Sequence, residues 1–414
     1  MKTPYYFLLG ISLIFLNACQ DYQDEKTLIT ENAKDEVFVQ PEIFIESNGD
    51  KESILILKDS TLIFEMEVST AGRYKVEING RAKEDAKVWI EDYIHNVDDR
   101  SYDITGKISF PANTSFKTFH KDGSPLNVGK HQLKIHAVDH DFELDWIKFT
   151  LIQKHQTSKT IHEQKMDGKE WELTWSDEFD EDGLPDSTKW SYNIGNWGWG
   201  NNEPQYYTQF KEENARVKNG HLIIEAHQGK DVNDWTSARL STAGKASFLY
   251  GKIEFRAKVP VGRGTWAAGW LLGDEYVDEL SWPYCGEIDV LECVGFEIDD
   301  ETGNGINHAT CHTRSYYFKQ GNQIGSDTNL TSMNAVFHTY GIEWYPDVIY
   351  ATLDGQRYYT YDKNKDELEW PFFKPQNIIV NLAVGGGWGG AKGIDEKWKS
   401  HQYIIDYIRV YALK

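Results

Sequence analysis

The chain is broken into short stretches of alternating apolar and polar residues, and no window of it keeps a helical period. Residues 54–57, 62–68, 74–78 and 133–137 show this pattern, with Gly, Asn and Asp turns between them. A period of two places successive side chains on opposite faces, so each stretch reads as a strand with one buried face. The pattern predicts an all-β sandwich over residues 37–153. A second set, 222–226, 251–257, 340–344 and 404–410, predicts a larger β-sandwich over 171–414. Between the two, 154–170 has almost no apolar residues and reads as a linker. Two cores suit a chain of 414 residues, and no short repeat points to a propeller or solenoid.

The N-terminus reads differently. Lys2 is followed by an almost wholly apolar run over 5–15, too short to span a bilayer as a mature helix, and then by Leu16-Asn17-Ala18-Cys19. Small residues before a single Cys resemble a bacterial lipobox, which implies a signal peptide over 1–19, cleavage before Cys19 and a lipid on Cys19. An ordinary signal peptide with an incidental Cys is the alternative. The acidic stretch 20–36 cannot bury a core and reads as a flexible tether. The expected location is outside the cytoplasm, held to a bacterial outer membrane by the lipid and facing periplasm or cell surface.

A net charge of −22 argues against nucleic acid or an anionic membrane surface as partner. A neutral partner fits better, and 15 Trp and 23 Tyr offer rings for the half-apolar faces of sugars. Cys285, Cys293 and Cys311 allow at most one disulfide, so the fold must rest on its core. A monomer is expected.

The densest chemistry lies in Trp282-Pro283-Tyr284-Cys285-Gly286-Glu287-Ile288-Asp289-Val290-Leu291-Glu292-Cys293. On a strand, Glu287 and Asp289 share one face while Ile288 and Val290 share the other. Glu292 breaks the parity, and a β-bulge at Val290-Leu291 would restore it. Three carboxylates would then line one face. Glu287 and Glu292 would sit ~13 Å apart at the backbone, from which long side chains can lean together. Carboxyl groups about 5–5.5 Å apart are what double displacement at a sugar carbon requires, one ionised and one protonated. Crowded carboxylates push at least one pKa up. A solvated acidic edge or a calcium site would also place three acids together. The surrounding Trp, Tyr, Ile, Val and Leu favour function, because charge is costly among them.

Two resemblances extend this reading. Ala71-Gly72-Arg73-Tyr74-Lys75-Val76, Val128-Gly129-Lys130-His131-Gln132-Leu133 and Phe142-Glu143-Leu144-Asp145-Trp146-Ile147 resemble carbohydrate-binding module family 6. That implies a jelly roll gripping glycans through aromatics, although Phe64 is the sole aromatic of the 62–68 stretch and a spacer role is the alternative. The carboxylate motif resembles glycoside hydrolase family 16 in its bulged form. Other blocks match it in order: Trp175-Ser176-Asp177-Glu178-Phe179, Trp199-Gly200-Asn201-Asn202-Glu203, Thr236-Ser237-Ala238-Arg239-Leu240, Asn381-Leu382-Ala383-Val384-Gly385-Gly386-Gly387-Trp388 and Asp406-Tyr407-Ile408-Arg409-Val410-Tyr411.

The second resemblance implies a jelly roll with a concave cleft and a retaining endo-glycosidase. Within the family the motif looks most like the endo-β-1,3-glucanases, with mixed-linkage glucan or red-algal galactan as other substrates. A surface glycan-binding lipoprotein without activity is the remaining rival. The resemblance makes Glu287 the nucleophile, Asp289 its orienting neighbour and Glu292 the general acid and base; spacing alone does not settle which Glu is which. It places Asn201, Arg239, Trp266, Trp270 and Trp388 against sugar. His312 resembles the family's cleft histidine, with a structural histidine as the alternative. No cofactor is implied for catalysis. A structural calcium is implied at Glu178, the backbone of Gly220 and Asp406.

Overall fold

The computed structural model describes residues 42–46, 53–93, 101–230, 234–364 and 366–414. The expected signal peptide, Cys19 and the tether at 20–36 lie outside them. Among the described residues there is no α-helix, only single 3-10 turns at Gly295–Glu297 and Phe318–Gln320.

The N-terminal domain is a sandwich of two five-stranded sheets. Gly72–Arg81 and Phe142–Lys154 are central to one sheet, and Ala86–Tyr93 and Gly129–Ala137 to the other. Val76, Ile78, Ile147 and Phe149 from the first meet Val88, Ile90, Leu133 and Ile135 from the second in one core. Phe64 belongs to this core at 6 % exposure, so it is not offered to a ligand.

The C-terminal domain is a second sandwich with its own core, made of a nine-stranded and a ten-stranded sheet. Glu287–Val294 lies within the nine-stranded sheet, between Thr265–Gly273 and Gly305–His312. Ile288, Val290, Leu291 and Cys293 point down into the core shared with Ile253, Phe255, Ile342 and Trp344 of the other sheet. The upper face is left for the cleft. Among the described residues, Cys285, Cys293 and Cys311 are buried and free.

The expected linker carries structure of its own. Thr160–Glu163 pairs in parallel with Ala246–Leu249 and forms the edge of the nine-stranded sheet. An edge strand needs backbone groups more than apolar side chains, and these residues are mostly exposed, which is why composition hid it. Farther on, the Gly168 amide donates to the Leu413 carbonyl at 2.9 Å.

Candidate active site

The bulge expected at Val290-Leu291 is present. Against the neighbouring strand Glu287 faces His312, Asp289 faces Thr310 and Glu292 faces His308, so three steps on one side match two on the other. The other neighbour shows the same slip, with Trp270 opposite Asp289 and Gly269 opposite Leu291. Val290 and Leu291 are consecutive yet both buried in the core, which a regular strand cannot do. Their shared direction returns Glu292 to the upper face, and Glu287, Asp289 and Glu292 line one cavity. Gly286 delivers the first of them from a turn at φ +77°, where a Cβ would lie 2.9 Å from Pro371.

The cavity wall is aromatic. Trp266, Ala268, Trp270 and Leu272 face it from the Thr265–Gly273 strand, and small Ala268 stands opposite Glu292, leaving space above the carboxyl. The Trp282 indole N–H donates to Glu287 Oε2 at 3.0 Å, and the Trp266 N–H donates to Glu292 Oε1 at 3.1 Å. His312 Nε2 lies 3.3 Å from Asp289 Oδ2 and 3.8 Å from Glu287 Oε1. One ligand atom each from Glu287, Asp289 and His312 falls within 4.8 Å of the others, a spacing a metal ion can use. The Trp282 indole points the other way: its N–H occupies a Glu287 lone pair that a cation would need.

Burial first, then the charge of Asp289, raises the Glu287 carboxyl to about 8. Burial raises Asp289, and burial followed by Asp289 raises Glu292. The three therefore share protons at neutral pH and titrate as a set. Surroundings tilt the sharing. Each Glu accepts one indole N–H, but Glu287 has the nearer histidine, whereas Glu292 also feels the like charge of Glu297. The negative charge is better placed on Glu287 and the proton on Glu292.

These raised values have a stability consequence of fixed sign. The folded site holds protons that the unfolded chain releases from about pH 4 upward, so folding is penalised increasingly from there to about pH 8. Asp289→Asn removes one such group. Its melting temperature should match that of the parent near pH 4 and exceed it at pH 8, by about 1–3 kcal/mol of added stability. Thermal melts across that range check this; a difference that does not grow with pH would contradict it.

The other expected sugar contacts fall in different places. Asn201, Arg239, Trp266 and Trp270 line the cavity. Arg239 is stacked between rings, with its guanidinium carbon 4.8 Å from the centroid of Trp199 and 4.7 Å from that of Trp270. Its Nε donates to Asn193 Oδ1 at 3.1 Å. Asn201 donates to Glu203 Oε1 at 3.1 Å. Trp388 stands edge-on to Trp266, ring centroids 5.5 Å apart, beside the wall more than in it. His312 reaches the carboxylates from the neighbouring strand, on the same face as Glu287 opposite it. Sequence reasoning did not single out Glu203, Tyr276, Glu279, Asn381, Phe318 or Lys319, which also line the cavity. Glu203 and Asn381 stood inside quoted motifs, whereas Phe318 and Lys319 carried no signal.

Glu178, Gly220 and Asp406 lie on or beside strands of the ten-stranded sheet, not the nine-stranded sheet that bears the carboxylates. On the Ser400–Leu413 strand, Leu222 pairs with Ile405 and Asp177 with Ile408, so two strands meet nearly end to end beside Asp406. An oxygen set so placed fits calcium. Each carboxylate already has partners: Arg409 forks onto Glu178 at 2.9 and 2.8 Å, and Arg256 and His221 flank Asp406.

Comparison with known proteins agrees with this geometry. Glycosyl hydrolases family 16 matches residues 202–409. The chain is similar to a beta-glucanase of Rhodothermus marinus, 47 % identical over 249 residues, which are 58 % of this chain and 85 % of that protein. It is 35 % identical to a glucan endo-1,3-beta-glucosidase of Cryptopygus antarcticus, over 58 % of this chain and 92 % of that protein. Its fold matches the X-ray structure of the laminarinase from Rhodothermus marinus with a TM-score of 0.55 and 45 % identity, over 59 % of this chain and 98 % of that one. With its carboxylate strand, bulge and aromatic cleft inside the matched region, the chain belongs to glycosyl hydrolase family 16 and is a glycoside hydrolase.

Proposed function

We propose that the protein is a retaining endo-hydrolase of β-1,3-glucan acting by double displacement. The observation that carries this reading is the bulge that turns Glu292 onto the face of Glu287 and Asp289. Glu287, held by the Trp282 N–H, attacks the anomeric carbon while Glu292 gives its proton to the departing glycosidic oxygen. Water then attacks the glycosyl ester, and Glu292, now ionised, takes the proton from it. Asp289 lies between them and raises both pKa values, so that one proton stays in the site at neutral pH. Trp266 and Trp270 offer stacking faces, and Arg239 and Asn201 offer donors to hydroxyls.

The beta-1,3 choice rests on the names carried by the relatives above, such as laminarinase. Digestion of laminarin, lichenan, agar and carrageenan in parallel tests it. Laminarin should give oligosaccharides of several lengths early in the reaction. Release from agar or carrageenan alone would overturn the substrate, and monosaccharide alone would overturn the endo mode.

A calcium ion at Glu178, Gly220 and Asp406 is part of the same proposal. It would tie two strand ends together and supply no chemistry at the cleft. Added calcium should raise the melting temperature of chelator-treated protein by several degrees, a shift lost in Asp406→Ala. Equal melting with and without calcium would rule the ion out.

A further inference from the structure

The two sandwiches meet on a surface that grips two loops of the catalytic domain. Backbones touch there: a Cβ on Gly123 would lie 2.2 Å from the Ile194 carbonyl oxygen, and one on Gly195 would lie 2.0 Å from that of Asp122. Both glycines have positive φ, so the contact excludes any other side chain on steric and conformational grounds. Beside them, the Asn196 N–H donates to the Asp122 carbonyl at 2.9 Å, and the Asp122 N–H donates to Asn196 Oδ1 at 3.0 Å. Lys121 donates to the Asn196 carbonyl at 3.1 Å, and the Tyr206 hydroxyl donates to Asp122 Oδ2 at 3.0 Å. The gripped loop carries Trp199 and Asn201 into the cleft.

The second loop, 274–282, carries Tyr276, Glu279 and Trp282 into the same cavity. Leu280 on it packs against the core of the N-terminal sandwich. Asp278 is fully buried, its Oδ1 accepting the Leu280 N–H at 3.0 Å. Asp274 accepts the Ser158 amide at 3.0 Å and the Ser158 hydroxyl.

Arg73 of the N-terminal sandwich joins the two grips. It is 9 % exposed. Its guanidinium carbon lies 5.4 Å from the Trp199 ring, 5.8 Å from Trp197 and 5.7 Å from Tyr276. Arg239 stacks on the same Trp199 and on Trp270. A line of contacts therefore runs from Arg73 through Trp199 and Arg239 to Trp270 beside Asp289.

We infer that the N-terminal sandwich is a brace for one end of the sugar cleft, and that Arg73 is its positioning residue, holding Trp199 and Tyr276 in place for long glucan chains. The inference rests on the glucanase reading above. Arg73 touches no reacting atom. Unbraced, the two loops would have to be ordered by the substrate at each binding event, which weakens binding and leaves the chemical step alone.

The test uses the full chain with Arg73→Ala, Arg73→Lys and Leu280→Ser. Leu280 belongs to a loop of the catalytic domain, so its replacement loosens the docking without opening the N-terminal core. For a long β-1,3-glucan, Arg73→Ala and Leu280→Ser should raise KM about 5- to 20-fold with kcat within about twofold. Arg73→Lys should fall between, keeping the charge without the flat stacking face. Amide exchange over 196–203 and 274–283 should quicken about tenfold while that of the Glu287–Val294 strand stays unchanged. A loss of folded protein alone would lower kcat and spare KM. Unchanged KM together with unchanged loop exchange in Leu280→Ser would overturn the brace, whether or not the Arg73 variants fold. The exchange readout needs no turnover, so a parent without activity would defeat the glucanase reading and still leave the brace testable.

Discussion

Glu287→Gln is expected to lower turnover of β-1,3-glucan by about 10⁴-fold or more while glucan affinity stays within a few-fold of the parent. The amide cannot form the glycosyl ester, but Trp266, Trp270 and Arg239 still line the cavity. The side chain loses little else: its Oε2 accepts one bond from Trp282, and an amide oxygen can accept the same bond. Initial rates and calorimetric titration with an oligosaccharide separate the two effects. Turnover within about tenfold of the parent would remove Glu287 from the nucleophile's role.

Glu292→Ala should produce a loss that depends on the leaving group. General acid catalysis contributes about 10²–10⁴-fold. A polysaccharide hydroxyl needs that proton, so glucan hydrolysis should fall by about that factor. A β-glucosyl-type substrate with a leaving group acidic enough to depart as an anion needs none, and its first step should keep a rate within about tenfold of the parent. The second step would then lack its base and become limiting, with a burst of the released group before the steady state. Added azide, which needs no deprotonation, should restore the steady rate and give a glycosyl azide. An equal loss on both substrates, with no burst and no rescue, would assign the proton to another residue.

How far the sequence revealed this arrangement follows from what local pattern can carry. Strands with one wet face were legible because alternation is local: Leu222–Gln228, Gly251–Lys258 and Ser400–Leu413 all sit where the period of two put them. Gln376–Val384 was not, since all nine of its residues are buried and its period disappears. The bulge was legible through a parity conflict, as three acids in one stretch cannot share a face at that spacing without an extra residue. The edge strand at Thr160–Glu163 gave no signal because its role is backbone pairing alone.

The site shows the same division. Glu287, Asp289 and Glu292 come from one strand and were readable together, as were Trp266 and Trp270 four residues apart on its neighbour. Tyr276, Glu279, Phe318 and Lys319 reach the cavity from loops whose course depends on contacts distant in sequence. The role of the N-terminal sandwich was hidden for the same reason. Arg73 was quoted only as part of a turn motif, and its neighbours Trp197, Trp199 and Tyr276 lie more than a hundred positions away.

The central claim is that two carboxyls on one bulged strand act in succession at the same sugar carbon. Proton NMR of the anomeric signal during the first minutes of laminarin hydrolysis tests it most directly, before mutarotation mixes the anomers. Two displacements predict that the new reducing ends appear first as the β-anomer. First appearance of the α-anomer would mean a single displacement by water, which contradicts Glu287 as nucleophile.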